Sequence, residues 1–137
     1  MRNIWAILEA TCLVIALLNL PVIGDARKTL PAGRWGGQHI RFDALAKGAK
    51  IEYDCAHATI DESIILDGNG RFNVSGKHFP ERGGPSRQGE PAGYPVTFSG
   101  EVRGKTMTLT VRNRSTNEEI GSFTLAHGAA AKLFKCL

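Results

Sequence analysis

The stretch Ile51–Ile60, IEYDCAHATI, decides how this chain is read. Its first part alternates apolar and polar residues with period two, the pattern of a strand half-buried in a sheet. Read as one strand, it places Ile51, Tyr53, Cys55 and His57 on a shared inward face and Glu52 and Asp54 on the other. That is material for a metal site, a catalytic pair or a disulfide-stapled strand, and the surrounding sequence has to decide among them.

Working outward, Gly and Pro punctuate the chain at short intervals and the segments between them keep the same alternation. GGQHIRFDAL is the strand before this stretch, with Ile40, Phe42 and Ala44 aligned, and AKGAK is the turn that joins the two. SIILD follows as a third strand, and GNG makes a tight turn because Asn and Gly tolerate positive φ. RFNVSGKHF aligns Phe72, Val74, Gly76 and His78; the long polar connection PERGGPSRQGEPAG comes next. YPVTFSGEV, KTMTLTVR, EIGSFTLA and AKLFKCL bring the count to eight. Nowhere does a helical spacing of apolar residues persist. Short antiparallel strands must hide their edges, and closure does this completely. The expectation is an all-β chain forming an eight-stranded antiparallel up-and-down barrel, with a β-sandwich as the alternative. Gly76 and Gly100 on inward faces suit strong bending. Trp35, in GRWGG, reads as a ring plugging one end of the barrel or as a ligand-stacking platform.

The first residues are not part of this domain. Arg2, the apolar run Cys12–Leu18 and the small residues Gly24 and Ala26 follow the order of a secretory signal peptide, so residues 1–26 are assigned to it and 27–137 to one barrel domain. The apolar run is far short of the roughly 20 residues of a membrane span. Cleavage after Ala26 removes Cys12 and leaves Cys55 and Cys136, which in an exported chain pair as a disulfide. It also removes one base and two acids, taking the net charge from +4 to +5. The bases are spread out and not interleaved with aromatics, which argues against a nucleic-acid surface and leaves a mild preference for anionic partners.

A meander fixes which residues share an end. His39 begins one strand, while His57 and His78 end two others, and the 80–93 connection leaves from the same mouth. Lys77, Arg82, Arg87, Arg112 and Arg114 fall there too. The candidate ligand-binding residues are therefore His57, His78, Arg82, Arg87 and Trp35, at a mouth suited to a small anionic ligand or an acidic protein surface. No metal or cofactor is expected, because His39 has outward parity and no close ligand spacing occurs. Nor is catalysis: Ser75 and His78 alternate onto opposite faces, and the glycine-rich ERGGPSRQG lacks the ending of a phosphate loop.

The set GRWGGQHI, IEYDCAH, DGNGRF, GGP, GKTMTLTV and KLFKCL resembles a family of small exported bacterial β-barrel proteins of unassigned activity, over nearly the whole of residues 27–137. Tyr53, Cys55 and Cys136 are also similar in outline to the periplasmic inhibitors of chicken-type lysozyme, which are small disulfide-closed barrels. The inhibitory loop of those proteins finds only a distant echo in GPSRQG. GRWGG resembles the Gly-x-Trp opening of lipocalins. What results is the expectation of a secreted or periplasmic, non-enzymatic binding protein that works at the mouth near residues 80–93. The alternatives are an inhibitor of a hydrolase such as lysozyme and a small-molecule carrier with a hollow barrel.

Overall fold

The computed structural model describes residues 27–82, 85 and 92–136. The segment read as a signal peptide and Arg87 lie outside the described residues. Ten strands form: β1 Lys28–Thr29, β2 Gly33–Gly37, β3 Ile40–Ala44, β4 Ala49–Tyr53, β5 Ala56–Ile60, β6 Ile65–Leu66, β7 Arg71–Pro80, β8 Tyr94–Arg103, β9 Thr106–Asn113 and β10 Glu119–His127. Eight of them close into an antiparallel barrel in the order β10-β2-β3-β4-β5-β7-β8-β9, and β1 pairs with β6 outside it.

The alternation read from sequence is what builds the wall. Ile40, Phe42 and Ala44 of β3 and Ala49, Ile51 and Tyr53 of β4 are buried. Their outward neighbours form cross-strand ion pairs, Arg34–Asp43 and Arg41–Glu52, both at 2.8 Å. A one-residue slip would turn every apolar side chain to solvent, so burial fixes the register, and exposed pairs of this kind add only about 0.2–1 kcal/mol each.

Eight strands are present, but not the eight expected. IEYDCAHATI is a hairpin, with Glu52 opposite His57 and a two-residue turn at Asp54–Cys55. Inside that turn the alternation changes phase: Ala56, Ala58 and Ile60 point inward, and His57 faces outward with 45% of its side chain exposed. GGQHIRFDAL likewise folds back on itself at Gln38–His39, so that GRWGG becomes the barrel strand β2. Trp35 is 1% exposed inside the barrel wall, with its ring 4.7 Å from that of His127. It is neither a cap ahead of the first strand nor a surface on which a ligand could stack. SIILD leaves the barrel and contributes only β6. AKLFKCL is a tail that makes one parallel bridge, Gln38 to Lys132. Two extra hairpins replaced two lost strands.

The interior is packed. Trp35, Phe42, Phe98, Ile40, Ile51, Met107, Leu109, Leu125, Val96 and Val111 are each less than 2% exposed. Burying a side chain of this size contributes roughly 1.5–3 kcal/mol. The glycines on inward faces make space for rings: a Cβ on Gly100 would lie 2.4 Å from Phe72, and one on Gly76 would lie 2.7 Å from Phe98.

The two ends differ. At one, Leu30, Ile64 and Leu66, carried by the β1–β6 pair and its flanks, join the core and seal the barrel. At the other lie the β2–β3, β4–β5 and β9–β10 turns, the end of β7 and the start of β8, and the seam between β10 and β2 is only partly zipped. Their pairing runs from His127–Trp35 to Leu125–Gly37 and stops, although β10 extends back to Glu119.

Candidate functional site at the split seam

A cavity of about 280 Å³ occupies the unzipped end of the seam, lined by Tyr53, His78, Phe123, Ile120, Ala56 and the turn residues His39, Asp54 and Cys55. Each arrives there for a local reason. Tyr53 is the last residue of β4 and His78 lies near the end of β7, both on inward faces. Ile120 has no partner on β9, because the pairing shifts between Glu119 and Gly121; the resulting bulge places it at the lip. His39 takes φ of 64° in the two-residue turn after β2, an uncommon conformation for a residue with a side chain.

The floor is aromatic. Tyr53 lies with its ring centroid 5.5 Å from both His78 and Phe123, and Tyr94 stands 5.2 Å from His78 on the other side. Tyr53 and His78 are 7% and 6% exposed, yet the Tyr53 hydroxyl and His78 Nδ1 have no hydrogen-bond partner among the described residues. Leaving such a group buried and unpaired costs about 1–3 kcal/mol. Burial holds the Tyr53 phenol well above its usual range and, with the nearby His57 charge as a lesser cause, holds the His78 imidazole below its own. Both are therefore neutral at pH 7.

The rim is laced by the C-terminal tail. Lys132 exchanges backbone hydrogen bonds with Gly37 and His39 at 3.0 and 2.8 Å. The Phe134 backbone N–H donates to Asp54 Oδ1 at 2.7 Å, and His39 Nδ1 lies 2.5 Å from Asp54 Oδ2. Lys135 donates to the Tyr53 carbonyl at 2.8 Å and to Glu81 at 3.2 Å, while Glu81 also meets His57 Nδ1 at 2.8 Å. Cys136 closes on Cys55 with Cα atoms 5.2 Å apart. The Phe134 N–H holds the Asp54 carboxyl below the usual range against opposing burial, with help from His39. Burial pushes Glu81 up, but hydrogen bonds from His57 and Lys135 outweigh it.

Among the residues singled out from sequence, His78 is in the cavity and Arg82 is exposed on the connection that leaves β7. His57 is at the same end but on the outside, engaged with Glu81. The expected cationic rim is a mixed one, because Lys135 and His57 meet Glu81 and Arg112 lies 3.9 Å from Glu119. Sequence reading missed Phe123, Ile120 and the role of Tyr53. Phe123 carried the usable signal: it shares parity with Leu125 on EIGSFTLA. Among the described residues no three His, Cys, Asp or Glu side chains gather as a metal would require. Comparison with family models, with curated proteins and with solved structures found no match.

The lowered His78 value has a measurable consequence. Below about pH 6.5 the unfolded chain takes up a proton that the folded chain refuses, so stability rises with pH across that window and falls as the solution is acidified. The lowered carboxyls of Asp54 and Glu81 act further down, below about pH 4.5, where their contribution is lost on protonation. Urea midpoints should therefore drop between pH 7 and 5.5, and the drop should shrink in His78→Phe. An unchanged pH profile in that variant would assign the acid sensitivity elsewhere.

Proposed function

We propose that the protein is an exported, non-enzymatic binding protein that engages its partner at this mouth, beside the 80–93 connection. The observation that carries this reading is the aromatic cavity in the split seam, where Tyr53 and His78 are buried with polar atoms lacking partners. Natural interiors rarely tolerate such atoms, and binding sites are where they recur. The packed barrel weighs against a hollow carrier and favours a partner that docks on the rim. The Cys55–Cys136 disulfide supports a secreted or periplasmic location.

The partner presents an acidic surface or a small anion to Arg82 and Arg114, which make no ion pair among the described residues. The likeness of Tyr53, Cys55 and Cys136 to lysozyme inhibitors makes hydrolases of that kind the first panel to screen. The immobilised protein would be tested against them, and against small anions, at low and high salt. An Arg82→Ala, Arg114→Ala double variant should bind more weakly at low salt and lose part of the salt dependence. Ile120→Arg, at the exposed lip, should weaken binding at least about tenfold, the 1.4 kcal/mol scale of one well-placed contact. Wild-type binding by both variants at both salt concentrations would remove the mouth from the site.

A further inference from the structure

We propose that the open edge of β10, centred on Ser122, takes one extended strand from a partner protein and so continues the ladder that β2 leaves unfinished. The inference rests on the mouth being the binding site and specifies the form in which the partner arrives. β9 pairs with β10 from Glu119 to Ala126, whereas β2 meets it only from Leu125 to His127. Beyond that point β2 has ended at Gly37, and the chain turns through Gln38 and His39 into β3. Among the described residues no strand lies on the seam side of residues 119–123.

Two bonds at the far end of the strand fix which groups this edge offers. The His127 N–H donates to the Lys105 carbonyl on the β9 side at 2.9 Å, and the Gly128 N–H donates to the Arg34 carbonyl across the seam at 2.7 Å. Successive residues of a strand aim their N–H and C=O to opposite sides. Counting back, Leu125 and Phe123 face β9, while Ala126, Thr124 and Ser122 face the seam. The Thr124 carbonyl lies against Gly37, where the β2 ladder stops. Ser122 comes next. It is exposed, and among the described residues neither the tail nor any turn gives it a backbone bond. A donor and an acceptor on one residue, aimed the same way, are what an added strand pairs with.

The surroundings favour a single strand over a second barrel. Opposite β10 the gap is bounded by the β4–β5 turn, since Ile120 and Phe123 share one cavity with Tyr53, Asp54, Cys55 and Ala56. The tail is bonded along that same turn, through Phe134 and Cys136 to Asp54. A second copy could reach Ser122 only with β9 and a barrel wall behind its own β10. The edge also lacks the usual guards: from Glu119 to Thr124 there is no proline or lysine, and the one charge is at its end. The bulge between Glu119 and Gly121 guards that end alone. Directly opposite residues of an antiparallel pair put their side chains on one face. The partner residue opposite Phe123 therefore stands over the cavity beside Tyr53 and Ile120 and is apolar, while the one opposite Ser122 faces solvent and is polar.

The probe is the capped pentapeptide Thr-Leu-Thr-Leu-Thr, which sets its central threonine against Ser122 and a leucine against Phe123. Two controls keep every side chain. One is N-methylated on the central threonine, whose N–H would face β10, and the other on the leucines, whose N–H groups would face away. Each would be titrated into isotope-labelled protein while the amide signal of Ser122 and its hydrogen exchange are followed. In the free protein the Ser122 amide should exchange much faster than that of Phe123, which faces β9. The parent peptide should shift the Ser122 signal and, at saturation, slow its exchange. N-methylation of the threonine should weaken binding at least about tenfold, and N-methylation of the leucines less than about twofold. Ser122→Pro should abolish binding while keeping a urea midpoint near wild type, since the lost N–H serves no bond to β9. Where that variant fails to fold, the two methylated peptides decide on wild-type protein.

Equal affinity of the two methylated peptides would overturn the proposal, because the contact would then run through side chains and not through the backbone edge. So would slow exchange of Ser122 in dilute free protein, which would mean that the edge is already covered. Protection of Ser122 that appears only at high protein concentration, together with a dimer in sedimentation, would make a second copy the occupant and overturn it likewise. Failure of the parent peptide to move Ser122 at millimolar concentration would overturn the inference by itself; the mouth reading falls separately, if Ile120→Arg leaves partner binding unchanged.

Discussion

Replacing both Cys55 and Cys136 by serine should lower the unfolding free energy by about 4 kcal/mol. The bond closes a loop with a sequence separation of 81 residues, and in the chain-entropy description a loop of that length restricts the unfolded ensemble strongly. Little of the loss should come from the folded state. The tail keeps its hydrogen bonds from Phe134 to Asp54, from Lys135 to Tyr53 and Glu81, and from Cys136 N–H to the Asp54 carbonyl at 3.2 Å. Urea unfolding of oxidised wild type, reduced wild type and the double serine variant would test this. The last two should share a midpoint well below the first and show steeper transitions, because an uncrosslinked chain exposes more surface when it unfolds. A serine variant within about 1 kcal/mol of wild type would mean that the unfolded chain is already compact enough for the bond to restrict it little.

The disulfide also shows how far the sequence reached. Once residues 1–26 are set aside, two cysteines remain, which was enough to pair them, and period-two alternation was enough for a closed eight-stranded barrel. The details that failed are those that alternation cannot encode. A two-residue turn such as Asp54–Cys55 interrupts an alternating run without any glycine or proline to mark it, and every residue beyond it changes face. His57 was moved from inside to outside for that reason alone. His39 is a similar case: its positive φ makes the turn after β2, yet such turns usually announce themselves with Asn or Gly.

The cavity was still less legible. It exists because β10 pairs with β2 over three residues and then parts from it, and pairing length between strands remote in sequence leaves no local pattern. His78 could be placed inward from parity, and the end of the barrel at which the loops gather followed from a meander. Tyr53 was seen as an inward residue, but its lack of a hydrogen-bond partner depends on what surrounds it in space. The tail read as a strand because AKLFKCL alternates. Its backbone instead crosses Gly36 and runs along the rim, making one bridge to Gln38.

That crossing is the basis of the second large effect. Gly36 is buried although its neighbour Trp35 is the residue that points inward, because the tail lies directly over it. A Cβ there would come within 2.2 Å of the Ala129 carbonyl oxygen, 2.7 Å of Ala130 C and 2.8 Å of Ala131 N. All three are backbone atoms, so no side-chain rotation can relieve the collision and the tail itself must lift. It is pinned on one side by the Gly128 N–H bond to the Arg34 carbonyl at 2.7 Å and on the other by the Lys132 backbone bonds to Gly37 and His39 at 3.0 and 2.8 Å, with the Cys136 disulfide further along. With both pins in place, Gly36→Ala should cost about 3 kcal/mol, the upper part of the usual range for overpacking. Replacing the cysteines by serine leaves both backbone pins in place, so the same substitution should cost about as much in that background. The two changes should therefore be nearly independent, and a double-mutant cycle measured by urea unfolding should be additive within about 0.5 kcal/mol. An interaction of about 1 kcal/mol or more would show that the disulfide, and not the Lys132 bonds, holds the tail against Gly36.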